Sequence, residues 1–272
     1  MKPRHIFLRG GGLGDFILTL PLLELAHLQK HPVTLYARSQ YLRLLGNEFN
    51  WLETEDLDEL CGNPPRGIRG SRAISFWLDS MWSSEMINAG ALSALSINPR
   101  PSNGKHFVIQ ACEKIGWQIP NDFLKKSFLQ DSWKGHESTL WIHPGSAGLN
   151  KNLPLLFFIS RAQNWLKSDG HKKVIFSFGE ADDHLLEKFM STMISRAPRV
   201  FIVRLLDVMD LRNQLSTRAD RFIGNDSGPG HLAASLGIPV EIYFSKTDSS
   251  VWHPLGPRVK IYCFDSDSNK IL

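Results

Sequence analysis

Residues 5–39 read HIFLRGGGLGDFILTLPLLELAHLQKHPVTLYARS, and this run decides the fold class. Ile6–Leu8 is a short apolar strand. Gly10, Gly11, Gly12 and Gly14 make a loop, closed by Asp15. Leu18, Leu22, Leu25 and Leu28 recur at helical spacing, and the PVTLYA segment is a second apolar strand. Strand, glycine loop, helix and strand form a βαβ unit, the building block of an open parallel sheet.

A glycine loop between strand and helix lets a ligand approach the backbone, and the helix start favours an anion. The dinucleotide fingerprint nevertheless fails here. After Gly10-x-Gly12 the third glycine belongs at position 15, which holds Asp15. The Gly-Lys-Ser/Thr of a P-loop is missing as well. A carboxylate at this place would repel a pyrophosphate, so the loop is expected to make room for something other than phosphate. Asp15 then has two readings. It is a helix N-cap, worth on the order of 1 kcal/mol, or it is a general base at the mouth of a cleft whose floor the glycines clear. The two are compatible, although capping lowers a carboxyl's pKa and weakens it as a base.

The 272 residues are 42% apolar and 21% charged, a globular composition sized for one large or two modest domains. A net charge of +4, spread evenly over both halves, is compatible with an anionic ligand but too weak to argue for nucleic acid, and no nucleic-acid partner is expected. Cys61, Cys112 and Cys263 are scattered and odd in number, which fits a reducing cytoplasm and offers no zinc spacing. The apolar run at the N-terminus is too short for a signal peptide. No segment approaches the roughly 20 apolar residues of a membrane span. A cytoplasmic protein is expected, with any contact to the inner membrane peripheral and on its cytoplasmic face.

Further along, a strand is expected at Ala73–Leu78 and a helix over KHFVIQACEKIGW. The polar, broken stretch at 119–138 is a candidate linker. A second series opens with STLWIHPGSAGLNKNLP, in which Thr139–Ile142 is a strand ending in another glycine loop. A helix at Phe157–Leu166, the strand KKVIFSFG, the helix ADDHLLEKFMSTMIS, the strand RVFIVRLL and the helix DLRNQLSTRA follow. DRFIGNDSGPGHLAASLG reads as strand, loop and helix, and IPVEIYF as a strand.

Three groups in this second half carry chemistry. Ser146 offers a hydroxyl and Lys151 a positive charge for a phosphate, although a lone lysine is usually just solvated. Asp226 ends a strand, and Ser227, Gly228 and Gly230 open a helix with His231 in its first turn. Helix-start amides and a hydroxyl together form an anion cradle. Glu180 follows the middle strand, where a carboxylate can accept from ribose hydroxyls; its bland reading is again a cap.

FLRGGGLGDFILTLPLLELA, IHPGSAGLNKNLP and FIGNDSGPGHLAASLGIPVEIYF with the KTDSSVWHPLG that follows it resemble glycosyltransferase family 9, the ADP-heptose:lipopolysaccharide heptosyltransferases. The motifs stand in the family's order and reach both halves. The resemblance implies an α/β GT-B fold, with two Rossmann-like domains facing across a cleft, here 1–135 for the acceptor and 136–272 for the nucleotide sugar. It implies inverting transfer of a heptose-like sugar from a nucleoside-diphosphate donor, ADP-heptose foremost, to a lipopolysaccharide-core or other glycan or glycolipid acceptor. No metal and no other cofactor is expected.

Position by position, Asp15 matches the catalytic aspartate, and Gly11, Gly12 and Gly14 the acceptor-side loop. Ser146 and Lys151 match the donor diphosphate ligands and Glu180 the ribose ligand. Met209 falls beside the adenine, and Asp226, Ser227, Gly228 and His231 match the donor-site loop and helix. Where the family has Trp-Pro after the lysine, this chain has Leu153-Pro154. Residues 46–135 match nothing closely, and VKIYCFDSDSNKIL shows no final helix. Two rival readings remain: a GT-B nucleotide-sugar-binding or regulatory protein without turnover, and a GT-B transferase for another donor and a non-lipid acceptor.

Overall fold

The computed structural model describes residues 2–131, 133, 138–146, 148–265 and 270–271. The chain divides into two units, Met1–Leu124 and Lys125–Leu272.

The first unit is a parallel five-stranded sheet. Its strands are β1 (His5–Arg9), β2 (Val33–Ala37), β3 (Glu53–Asp56), β4 (Arg72–Ser75) and β5 (Ser93–Ser96), in the order β3-β2-β1-β4-β5. Every residue of β1 and β2 is buried, because a parallel sheet is covered on both faces and its central strands read as unbroken apolar runs. Ile6 and Leu8 pack with Tyr36, Ala73 and Met86 on one face. The edge strands obey another rule. β3 is ETED and β5 is SALS, half-exposed or exposed throughout. Polar edges discourage pairing with another chain, and they carry no hydrophobic signal by which sequence could find them.

The expected first helix is two helices, Leu13–Ile17 and Leu20–Leu28. Pro21 has no N–H for the carbonyl four residues back. The Asp15 carbonyl is also taken by the Thr19 hydroxyl and by Arg9 Nε, each at 3.0 Å. Leu18, Leu22 and Leu25 are buried as the spacing predicts, whereas Leu28 is 60% exposed at the helix end. The strand expected at 73–78 ends earlier, at Ser75. The helix Phe107–Ile115 stops as its sequence indicates, at Gly116 in the left-handed region with φ +84°.

The second unit carries β6 (Thr139–His143), β7 (Lys173–Phe178), β8 (Val200–Arg204), β9 (Arg221–Asn225), β10 (Val240–Phe244), β11 (Val259–Asp265) and β12 (Lys270–Ile271). Their order is β12-β11-β10-β9-β6-β7-β8, parallel except for β12. From β8 to β11 this is the doubly wound order 3-2-1-4-5-6. Its core joins Ile142, Phe176 and Phe178 to Phe158 and Phe189 on the covering helices Leu155–Ser168 and Asp183–Met190. The C-terminal segment, for which no helix was expected, adds β11 alongside β10. Within the stretch read as a linker, Phe128 and Leu129 are buried, and Leu129 N–H donates to Ser235 O at 3.1 Å.

One buried residue has no part in the chemistry. His5 is fully buried, neither ring nitrogen has a hydrogen-bond partner among the described residues, and the ring lies against His31 and Trp117. Burial lowers its pKa to about 4, with His31 and Arg72 adding to the effect. The folded state thus holds a neutral imidazole that the unfolded chain protonates near 6.5. The stability this contributes is complete above pH 6.5 and is lost as the pH falls through 4. In His5→Phe the fall in melting temperature between pH 7 and pH 4.5 is expected to be smaller by ~3–6 °C. An unchanged acid slope would place the sensitivity elsewhere.

Candidate functional site

In a doubly wound sheet the ligand crevice opens beyond the carboxyl ends of the strands, where the strand order reverses. In the first unit that point lies between β1 and β4, and the glycine loop leaves β1 there. Arg9 ends the strand with its guanidinium buried, 4.5 Å from the Phe76 ring centroid and 5.0 Å from that of Phe107. A buried cation needs a partner, and the partner is Asp15. Arg9 Nη2 donates to Asp15 Oδ1 at 3.0 Å, while Nε holds the Asp15 backbone carbonyl. Removing one member of such a pair costs about 3–5 kcal/mol.

Asp15 is not the N-cap. Gly12 caps the helix, and Asp15 at its third position returns Oδ2 to the Gly12 N–H at 2.9 Å. Gly11 makes this return possible. Its φ is +97°, and a Cβ there would sit 2.5 Å from Asp15 Oδ2. Gly14 lies within the short helix itself. From the loop after β5, Arg100 closes on the same carboxylate, Nη1 to Oδ1 at 2.8 Å and Nη2 to Oδ2 at 3.3 Å. Burial pushes the Asp15 carboxyl upward, but Arg100, Arg9 and the Gly12 N–H outweigh it and hold the pKa below the ordinary carboxylate value. Burial lowers the Arg9 guanidinium to about 10, against the attraction of Asp15, so it stays charged at neutral pH.

The switch point of the second unit lies between β6 and β9. Asn225, the fully buried last residue of β9, fixes the loop after β6 at both ends. Its Nδ2 donates to Pro144 O at 2.7 Å, and its Oδ1 accepts from Leu153 N at 3.1 Å. Ser146 faces inward in this loop, its single hydroxyl proton shared between Asn152 Oδ1 at 2.7 Å and Gly148 O at 2.9 Å. Ser245 Oγ adds a bond to the Lys151 carbonyl. The outcome is that Lys151 Nζ stands 3.4 Å from Asp226 Oδ2.

His231 is on the other side of Asp226, its Nε2 3.9 Å from Oδ1. Burial raises the Asp226 carboxyl, but His231 and then Lys151 outweigh it and keep it low. Ser227 caps the helix Gly228–Ser235 by position, yet its buried hydroxyl has no hydrogen-bond partner among the described residues. Gly230 lets this helix approach the sheet, since a Cβ there would lie 2.7 Å from Ile242 Cδ1.

Beneath the loop, Trp141 Nε1 donates to Ser177 Oγ at 2.8 Å, and Ser177 Oγ is 3.1 Å from His143 Nδ1. His143 Nε2 faces Asp182 Oδ2 at 3.6 Å. Burial holds this imidazole below its ordinary pKa against Asp182 and Ser177, so it is neutral at neutral pH. Gly145 is required above it, because any Cβ would collide with the Asp182 carboxylate.

Lys151 and His231 are therefore each brought within ion-pair reach of Asp226. Ser227 and Gly228 open the adjoining helix. Glu180, exposed after β7, and Met209, in the first turn of the helix Val208–Arg218 after β8, lie along the same carboxyl edge on neighbouring strands. Sequence reasoning missed Arg9, Arg100 and Asn225. Arg9 had a signal, a charge closing the apolar run Ile6–Leu8; Arg100, in the INPRPSN segment, had none. Among the described residues no three His, Cys, Asp or Glu side chains gather to hold a metal, and no helix is long and apolar enough to cross a membrane.

The family model for glycosyltransferase family 9 (heptosyltransferase) matches residues 125–271. No curated protein matches by sequence. Among solved structures, a glycosyl transferase family 9 protein from Veillonella parvula DSM 2008 is 16% identical, with a TM-score of 0.72, over 99% of this chain and 91% of that one. E. coli heptosyltransferase WaaC with ADP is 12% identical, with a TM-score of 0.66, over 97% and 94%. The iron-containing dodecameric glycosyltransferase TibC from enterotoxigenic E. coli is 16% identical, with a TM-score of 0.62, over 97% of this chain and 63% of that one. At these identities the likeness shows the fold, a GT-B fold with two parallel-sheet units.

Gly11→Ala is expected to destabilise the protein by about 1–3 kcal/mol in urea unfolding, through backbone strain and displacement of Asp15. Gly10→Ala is the control, since its Cβ meets only Leu57 Cδ2 at 3.8 Å. Equal effects at both positions would remove the special role of Gly11.

Proposed function

The chain belongs to glycosyltransferase family 9, and from that premise we propose that it moves a heptose-like sugar from a nucleoside diphosphate, ADP-heptose foremost, to a lipopolysaccharide-core or other glycan acceptor, with inversion and without a divalent metal. The observation that carries the reading is the pairing of chemistries at the two switch points. A carboxylate stands at the first, and a lysine beside an open helix start stands at the second. The acceptor belongs to the first unit and the donor to the second.

Asp15 takes the proton of the acceptor hydroxyl as its oxygen bonds to the anomeric carbon on the face opposite the diphosphate. The carbon–oxygen bond to the diphosphate breaks in the same event, through an oxocarbenium-like transition state. Negative charge then grows on the leaving phosphate. Lys151, the Ser227 hydroxyl and the Gly228 N–H supply the positive end, each such donor being worth about 2–4 kcal/mol. The unpartnered Ser227 hydroxyl supports this assignment. Lys151 exchanges Asp226 for phosphate when the donor binds. Ser146 acts by shaping the loop, and Glu180 and Met209 serve the ribose and the base. Enzyme and acceptor meet at the cytoplasmic face of the inner membrane by peripheral contact.

Calorimetry with ADP and adenosine, in EDTA, tests the donor side. Wild-type protein is expected to bind ADP without metal. Lys151→Ala is expected to weaken ADP binding by roughly 1.5–3 kcal/mol while leaving adenosine almost unaffected. Binding abolished by EDTA, or equal losses for ADP and adenosine, would overturn the assignment.

A further inference from the structure

A carboxylate has about four lone-pair positions, and at Asp15 all four are engaged. Oδ1 accepts from Arg9 Nη2 and Arg100 Nη1, and Oδ2 accepts from the Gly12 N–H and Arg100 Nη2. A base with no free lone pair cannot take a proton. For Asp15 to act, one donor has to leave, and the three sources differ in their freedom to do so. The Arg9 side chain is 1% exposed between two aromatic rings and also holds the Asp15 carbonyl. The Gly12 N–H is backbone at the helix start. The Arg100 side chain is 66% exposed, comes from a loop 85 residues later, and its contact with Oδ2, at 3.3 Å, is the longest of the four, although its bond to Oδ1 is 2.8 Å.

We infer that Arg100 is a positioning residue that latches Asp15, and that an incoming acceptor hydroxyl displaces it from Oδ2. Arg9 keeps the carboxylate aimed throughout. The charged groups facing the carboxyl are Arg9 from β1 and Arg100 from the loop after β5. The latch rests on the reading of Asp15 as the base. Once it opens, the acceptor O–H proton passes to Oδ2, the acceptor oxygen bonds to the anomeric carbon, and the electron pair of the broken carbon–oxygen bond leaves with the nucleoside diphosphate. With the latch shut, adventitious water finds no base, so donor hydrolysis is suppressed until an acceptor arrives.

The test has two arms on the full-length protein. The first follows the Asp15 carboxyl by carbon NMR in aspartate-labelled protein, assigned by its loss in Asp15→Asn. Arg100→Ala is expected to raise its titration midpoint by about one to two pH units. The second measures ADP release from ADP-heptose with water as the only acceptor. Release is expected to rise several-fold in Arg100→Ala, and the gain is expected to vanish in the Arg100→Ala/Asp15→Asn double variant. An ion pair of purely structural value would move the titration but not the hydrolysis.

An unmoved titration overturns the latch. So does unchanged hydrolysis in a variant that still binds ADP-heptose calorimetrically, and so does a gain that survives in the double variant. If wild-type protein does not bind ADP-heptose, the donor assignment fails by itself. The titration, which needs no donor, then still rules on the contact between Arg100 and Asp15.

Discussion

The ion pair between Arg9 and Asp15 organises the first unit's functional end. A guanidinium buried at the tip of an apolar strand has to be neutralised, and the chain returns a carboxylate to it within six residues. That return dictates the surrounding structure. Gly11 has to be glycine because Oδ2 occupies the space of its Cβ. The helix that starts at Leu13 is short because the Asp15 carbonyl bonds to Arg9 and Thr19. The same pairing keeps the carboxylate ionised and aimed. Ionisation is needed for proton abstraction, but a lowered pKa also makes a weaker base, so its proton affinity has to come from the geometry of the bound acceptor.

The second unit solves a different electrostatic problem with the same sheet topology. The loop after β6 carries Lys151 and the helix after β9 begins beside it, and under the proposed function these supply the positive charge and N–H groups that a leaving diphosphate needs. Asn225 ties the two elements together through neutral hydrogen bonds, which fix the loop and leave the lysine's charge for other use. In the absence of donor that charge rests on Asp226. Exchanging a carboxylate for a phosphate at one lysine limits the cost of holding the site empty.

Much of this was legible in the sequence where burial dictates pattern. The central strands and most covering helices were readable because a doubly wound sheet buries both faces, giving HIFLR, VTLYA and KVIFSF their mostly apolar character. The edge strands ETED and SALS were invisible for the converse reason. Asp15 was legible as a residue of interest but not as what it is locally, since the N-cap is Gly12 and the cap bond runs backward from the third position. The missing third glycine of the dinucleotide fingerprint is where Asp15 stands, and its carboxylate is held there by Arg9 and Arg100. Arg100 could not have been found, because its meeting with Asp15 is made by tertiary structure across 85 residues.

The central claim is that Asp15 is the proton acceptor in sugar transfer. Asparagine at this position keeps an oxygen for the Gly12 N–H and deletes the base. The decisive measurement is therefore the rate of heptose transfer from ADP-heptose to a lipopolysaccharide-core acceptor by Asp15→Asn, at a temperature where melting shows the variant folded. The account predicts a fall of about 10²–10⁴-fold with ADP affinity unchanged. Transfer at close to the wild-type rate would contradict it, and would reduce Asp15 to the structural partner of Arg9.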